Sequence, residues 1–77
     1  MAEVAPRIAA DPKIKGGKPV IQGTRIPVYI ILGQIAGGAS FEEIEREYGV
    51  VREDILAAIS YAAMRVAEER FLEAKSA

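Results

Sequence analysis

The chain has 77 residues, of which 51% are hydrophobic, and its ten Lys or Arg and eleven Asp or Glu give a formal net charge of −1. It has no cysteine and no histidine, which excludes disulfides, thiolate zinc sites and histidine-based acid–base catalysis. A single domain of this size cannot bury so much apolar surface alone. We therefore expect a homodimer or a higher oligomer.

The charges are unevenly distributed along the chain. Residues 1–27 carry five basic and two acidic residues, whereas residues 28–77 carry five basic and nine acidic ones. This predicts a basic front and an acidic helical back, although chance scatter of solvated charges explains the imbalance equally well. The first ten residues lack an apolar run and no later stretch suits a membrane span, so we expect a cytoplasmic protein without a signal peptide.

The most particular segment is GGKPVIQGTRIPV, residues 16–28. The branched pair Val20-Ile21 and Ile26 suit short strands, and Gly23 can adopt the positive φ of a two-residue turn. Pro27 suits the first position of a helix, where its missing N–H costs nothing. We therefore predict a β-hairpin, with strands at Val20-Ile21 and 24–26, that leads into a helix.

The segment before this hairpin has weaker signals. Residues 1–7 are predicted to form a flexible tail, and residues 8–77 a single domain. Ile8-Ala9 is the candidate for a further short strand, followed by turns at Asp11-Pro12 and Gly16-Gly17. Strands this short need helices beneath them to persist.

Apolar periodicity predicts three helices after the hairpin. The first runs over residues 28–36 and ends at the glycines 37–38. The second opens with a capping box, in which Ser40 and Glu43 satisfy each other's backbone N–H groups, and it stops at Gly49. The third runs from about residue 52 to residue 73 or 74.

The third helix carries more apolar surface than one core requires. Between Ile55 and Ala67 only Ser60 and Arg65 are polar, so we expect burial on more than one side. Its length, roughly 30 Å, is most simply explained by a dimer seam. The candidate partner or dimer interface consists of Tyr29, Ile30, Tyr61, Met64, Phe71 and Leu72.

The second and third helices, joined by residues 49–51, have the organisation of a helix-turn-helix. A plain αα-hairpin uses the same loop length, and spacing alone favours it. Candidate DNA contacts are the basic residues Lys13, Lys15, Lys18, Arg25 and Arg52. In the first turn of the third helix, Arg52 is the residue that could bind the edge of a guanine base. The four glutamates of the second helix weaken the DNA interpretation, because they would repel the phosphate backbone. For Arg25, a structural role in the hairpin is an equal alternative.

Catalysis would need groups that the chain does not offer. Without His or Cys, a nucleophile would have to be Ser or Thr, and Ser40 is already explained as a cap. The glutamates of the second helix are better explained by a solvated face than by a metal site, and residues 15–19, KGGKP, lack phosphate-loop spacing. We expect no enzyme, catalytic residue, metal, cofactor or small-molecule substrate.

The chain resembles a known family. Asp11-Pro12, Ile14 and residues 16–21 and 23–28 resemble the signature of the domain of unknown function 433 family. Similar to its helical half are Ser40, Glu42–Ile44, Tyr48, Glu53–Ile55, Ala57-Ala58 and Tyr61-Ala62. The likeness covers about residues 8–66. It implies an α+β, mainly α fold: a short N-terminal β-hairpin and a three-helix, helix-turn-helix-like domain of homeodomain or winged-helix type.

The resemblance also implies a function. Many members are encoded beside a PIN-like nuclease and are regarded as antitoxins. We therefore expect a non-enzymatic antitoxin-like or regulatory protein that binds a PIN-like nuclease, with operator DNA as a candidate further partner. Glu42, Glu45 and Glu47 would then oppose the substrate groove of the nuclease. The alternative is a homo-oligomeric protein-interaction module with no DNA-binding activity. The family often has proline where this chain has Gly49, and Ser or Thr where it has Val51. Valine has no side-chain oxygen and cannot cap the third helix.

Overall fold

The strands and helices follow the branched and turn-forming residues of the sequence. The computed structural model describes the backbone of residues 2–76 and the side chains of residues 2–69. Its elements are β1 (Ala2–Ala5), β2 (Ile8–Ala10), a 3₁₀ turn (Lys15–Gly17), β3 (Val20–Ile21), α1 (Val28–Ala36), α2 (Phe41–Tyr48) and α3 (Arg52–Ser76). The strands form one antiparallel sheet in the order β1-β2-β3. The predicted α+β, mainly helical fold is confirmed.

The predicted hairpin closes on a tight turn at Ile21–Thr24. The Thr24 N–H donates to the Ile21 carbonyl at 3.0 Å, and Gly23 has a φ of 82°, which glycine accepts at the third position of a type II turn. The Thr24 hydroxyl donates to the same carbonyl at 2.7 Å and accepts the Ile26 N–H at 3.0 Å. The sequence Gly-Thr therefore encodes this turn through both its backbone and its side chain.

The predicted strand over residues 24–26 is wrong, because the hairpin pairs only through a single bridge between Val20 and Pro27. On the side of the bridge where Pro19 faces Val28, Pro19 has no N–H to donate. That pair therefore forms one hydrogen bond, from the Val28 N–H to the Pro19 carbonyl at 3.0 Å. The other side also keeps one bond, from the Ile21 N–H to the Ile26 carbonyl at 2.9 Å, because Ile26 donates its own N–H to Thr24 instead of to the facing strand. The hairpin therefore lacks a continuous ladder of hydrogen bonds.

The N-terminal residues 2–5 form the edge strand β1, whereas the sequence predicts a flexible tail there. Pro6 and Arg7 turn the chain into β2, with Arg7 at a φ of 65°, a region that residues other than glycine rarely adopt. Two distant contacts hold Arg7: its carbonyl accepts the Gln22 N–H at 2.8 Å, and its guanidinium donates to Asp54 at 2.9 Å. Because these partners lie far away in sequence, no local pattern predicts the strand at residues 2–5.

One core of branched side chains joins the sheet to the three helices. β2 and β3 contribute Ile8 and Ile21, and each helix contributes one fully buried isoleucine: Ile31, Ile44 and Ile55. Val28, Val50 and Ala58 complete the buried cluster. In α3 the described residues beyond position 62 are all exposed. The core therefore uses only the first part of the longest helix.

The N-termini of α2 and α3 are capped by different side-chain hydrogen bonds. The predicted capping box of α2 is confirmed, with Ser40 and Glu43 bonded at 2.8 and 3.1 Å. The Ser40 N–H lowers the pKa of the Glu43 carboxyl, because it binds the charged form. In α3, Val51 has no capping oxygen, and the Asp54 carboxylate accepts the Val51 N–H at 3.2 Å while it binds Arg7. Asp54 thus supplies the start signal that Val51 lacks.

Substitution of Gly23 by alanine should destabilise the protein by about 1 kcal/mol, because alanine is strained at this positive φ. A Cβ at Gly23 would meet nothing within 4 Å, so the loss would come from the backbone alone. Gly33→Ala in α1 is the matched control. It also meets no neighbour and should stabilise the protein by about 0.5–1 kcal/mol through helix propensity. Urea unfolding measures both, and effects of the same sign would contradict the turn assignment.

Substitution of Asp54 by alanine should destabilise the protein by about 1–2 kcal/mol, since it removes the cap of α3 and the ion pair with Arg7. The Asp54 side chain is only 16% exposed. Glu53→Ala is the control, because the exposed Glu53 lies in the same helical turn and shares its favourable position near the helix N-terminus. Urea unfolding at neutral pH compares the two variants. Equal losses would show that Asp54 acts through the helix dipole alone.

Candidate interaction surface

A groove of about 250 Å³ lies between α1 and the middle of α3. It exists because α1 has nine residues and α3 has 25, so α3 continues past the part of the core that α1 covers. Its walls are apolar side chains and two tyrosines, with one basic residue on each side. The lining consists of Lys18, Pro19, Val28, Tyr29, Leu32, Tyr61, Ala62, Arg65 and Val66.

The two basic residues give the groove its charge. The Lys18 ammonium lies 5.0 Å from the centre of the Tyr29 ring, a cation–π contact. Arg65 has a side chain that is 61% exposed, and its guanidinium lies 3.5 Å from the Glu68 carboxylate on the next turn. Such an exposed pair is worth little and competes weakly with other partners. The groove therefore suits a segment that combines apolar side chains with carboxylates.

A second, smaller cavity of about 140 Å³ lies between the β1–β2 turn and α3, against Ala5 and Pro6. Its α3 side consists of Ala57, Ser60, Tyr61 and Met64. Tyr61 thus lines both cavities and separates them. The apolar surface of α3 is therefore continuous around this half-buried tyrosine.

The predicted interface residues lie in different places. Tyr29 and Tyr61 line the groove, Met64 lines the second cavity, and Ile30 is half-buried on α1 outside both. Phe71 and Leu72 lie outside the residues whose side chains the structure describes.

A further apolar stripe on α3, formed by Leu56, Ile59, Ala63 and Val66, is exposed, whereas the sequence predicts burial of this segment on more than one side. Leu56, Ile59 and Val66 are 45%, 36% and 50% exposed. The spacings of three, four and three are a sequence signal for such a stripe. Unpartnered apolar side chains at this spacing indicate a helix that contacts another macromolecule.

The predicted DNA contacts do not converge on one face. Arg52 lies on the first turn of α3, with its guanidinium 5.0 Å from the centre of the Phe41 ring. Lys18 shares the groove with Arg65, which lies thirteen residues beyond Arg52 along α3, about 20 Å away. The other three predicted contacts are exposed on the loops around the 3₁₀ turn and after the β3 turn: Lys13, Lys15 and Arg25.

The acidic helix α2 presents Glu42, Glu43 and Glu47 to solvent, with Glu45 half-buried. Within residues 2–69, no three acidic side chains are grouped so that they could hold a metal ion. None of the helices in the described part of the chain is long and apolar enough to span a membrane. The exposed surface of α2 is therefore mainly negative.

This sequence and fold are similar to those of known proteins. The sequence matches the family described as "Protein of unknown function (DUF433)" over residues 8–62. The uncharacterized protein y4eO of Sinorhizobium fredii is 43% identical over 37 residues, which are 48% of this chain and 17% of that protein. The crystal structure of a DUF433 member protein from Anabaena variabilis has a TM-score of 0.74 and 32% identity over 80% of this chain and 62% of its own.

The chain thus spans less than two thirds of the length of either relative. The family match itself begins at the buried strand β2 and ends at the half-buried Ala62 on α3. It therefore includes the hairpin signature and all the core residues from Ile8 to Ala58. Because this match covers more than half of the sequence, the chain belongs to the DUF433 family.

Proposed function

We propose that this protein is a non-enzymatic, antitoxin-like regulator in the cytoplasm that acts by binding other proteins, as a homodimer and in complex with a PIN-like nuclease. The observation that carries the proposal is the exposed apolar surface of α1 and α3. Its members are Tyr29, Leu56, Ile59, Met64 and Val66, each at least 36% exposed. Contiguous apolar patches of this kind mark protein contacts.

The acidic surface of α2 supports the nuclease partner. A PIN-like nuclease, which the family resemblance suggests, must attract nucleic acid and therefore presents a basic groove. Glu42 and Glu47 are exposed on one short helix whose position is set by the buried Ile44. Docking of this negative helix would occupy the groove in place of the substrate and would weaken as salt screens the charges.

Glu47→Lys should weaken binding to a PIN-like nuclease encoded beside this protein by about tenfold, because it reverses a charge that faces a basic groove. Glu3→Lys is the control, since it makes the same charge change on the exposed strand β1. Calorimetric titration of the purified nuclease at low and high salt measures both affinities. Unchanged binding by Glu47→Lys would contradict the acidic docking surface, and no complex with the wild type would contradict the antitoxin role.

Operator DNA is the second candidate partner. The short connection between α2 and α3 is typical of a helix-turn-helix, and Arg52 is the first residue of α3. The alternative is a protein-interaction module without DNA binding. Arg52→Ala should weaken binding to the protein's own promoter by about 1–3 kcal/mol if Arg52 contacts a base. Arg46→Ala, an exposed arginine on α2, is the control, and gel shifts at two salt concentrations measure both. If the wild type fails to shift promoter DNA at low salt, the interaction module is the better description.

A further inference from the structure

The side of α3 next to the groove carries a self-complementary pattern. Tyr61, Arg65, Glu68 and Leu72 follow one another at spacings of four, three and four, which places the four positions on one stripe of the helix. We call these positions the groove stripe. From either end the stripe begins with an apolar residue, continues with two opposite charges and ends with an apolar residue.

We propose that a second copy of this chain packs along the groove stripe, with the two α3 helices antiparallel. A twofold axis near residues 66–67 sets each Arg65 opposite Glu68 of the second copy, and each Tyr61 opposite position 72. All four positions of the stripe thereby meet a complementary residue. A parallel arrangement would set Arg65 against Arg65, so the charge order selects the antiparallel one.

The exposure of α3 supports this placement. Its residues from Ala63 to Glu69 are all exposed and extend past the core that ends at Ala58. Val66, which lines the groove, is 50% exposed although it is apolar. An exposed helix of this length is marginal in water without a packed neighbour. A second helix alongside would provide one and would cover the groove.

The charges of Arg65 and Glu68 leave room for a second partner. Their side chains are 61% and 58% exposed, and they approach each other only to 3.5 Å, longer than a strong charge-assisted hydrogen bond. Each therefore retains capacity for a carboxylate or a guanidinium from another chain.

The groove requires apolar residues accompanied by carboxylates, because Lys18 and Arg65 flank its apolar floor. The chain contains such a segment at residues 68–73, EERFLE, with three glutamates and two large apolar residues. This segment follows the groove lining on the same helix, so the antiparallel dimer brings it to the groove of the second copy. Charge complementarity thus favours a second copy as the occupant.

A charge-swap mixture tests this interface. Arg65→Glu and Glu68→Arg each create two like-charge pairs in a dimer of identical copies, so each variant alone should dimerise about tenfold more weakly than the wild type. An equimolar mixture should restore association as a heterodimer. In that heterodimer the glutamate introduced at position 65 meets the arginine introduced at position 68, and the unchanged Glu68 of one chain meets the unchanged Arg65 of the other. Sedimentation velocity measures the association, and native mass spectrometry identifies the heterodimer.

The mixture separates contacts between copies from contacts within one helix. Neither variant regains its internal ion pair on mixing, so any restored association must come from pairing between chains. Arg46→Glu, at an exposed arginine on α2 away from the stripe, is the control and should dimerise like the wild type. Circular dichroism checks that all variants keep their helical content.

Because the second copy is the homodimer partner of the proposed function, the interface rests on that proposal, and the outcomes separate the two. A wild type that stays monomeric at high concentration would overturn both the homodimer and the interface. A dimer that the single variants leave intact would overturn the interface alone. Single variants that are monomeric but form no heterodimer on mixing would also overturn it.

Discussion

The burial of Ile8 and Ile21 against the helices is the constraint on which the remaining structure depends. The strands that carry them have three and two residues, too few for a stable ladder of their own. Ile31, Ile44 and Ile55, one from each helix, form the other side of the same core. The sheet and the helices are therefore stable only together, which explains how so small a chain can fold without disulfides.

This core also determines what remains available for function. Among the side chains described up to residue 69, the last buried core residue of α3 is Ala58, yet the helix continues to Ser76. The surplus helix and the short helix α1 leave a groove with an apolar floor instead of a closed surface. The same shortage of covering elements that makes the domain small thus leaves apolar side chains exposed on α1 and α3.

Three positive charges make contacts within the domain. Arg7 binds Asp54, Arg52 lies over Phe41 and Lys18 lies over Tyr29. The contact between Arg7 and Asp54 joins elements that are distant in sequence, and it also fixes the start of α3. The glutamates of α2, in contrast, remain exposed apart from the half-buried Glu45, although Glu43 also caps the helix. A negative helix beside an apolar one is better suited to protein partners than to a phosphate backbone.

The features that the sequence by itself determined are those made between near neighbours in the chain. The capping box of Ser40 and Glu43, the turn at Gly23 and the bounds of α1 depend on hydrogen bonds and φ preferences within one or two turns, so spacing alone predicts them. The family likeness has the same origin, since its most specific residues form the hairpin. Local patterns of this kind also predict the three helices and the strand at Val20-Ile21.

The tertiary structure decided the features made by distant partners. β1 and the strained Arg7 depend on Gln22 and Asp54, which no local pattern connects to the N-terminus. The single bridge at Val20 and Pro27 depends on which N–H groups find partners across the hairpin. The groove depends on where α1 stops along α3. Contacts between distant residues form only when the core brings the elements together, and periodicity along the chain does not contain that information.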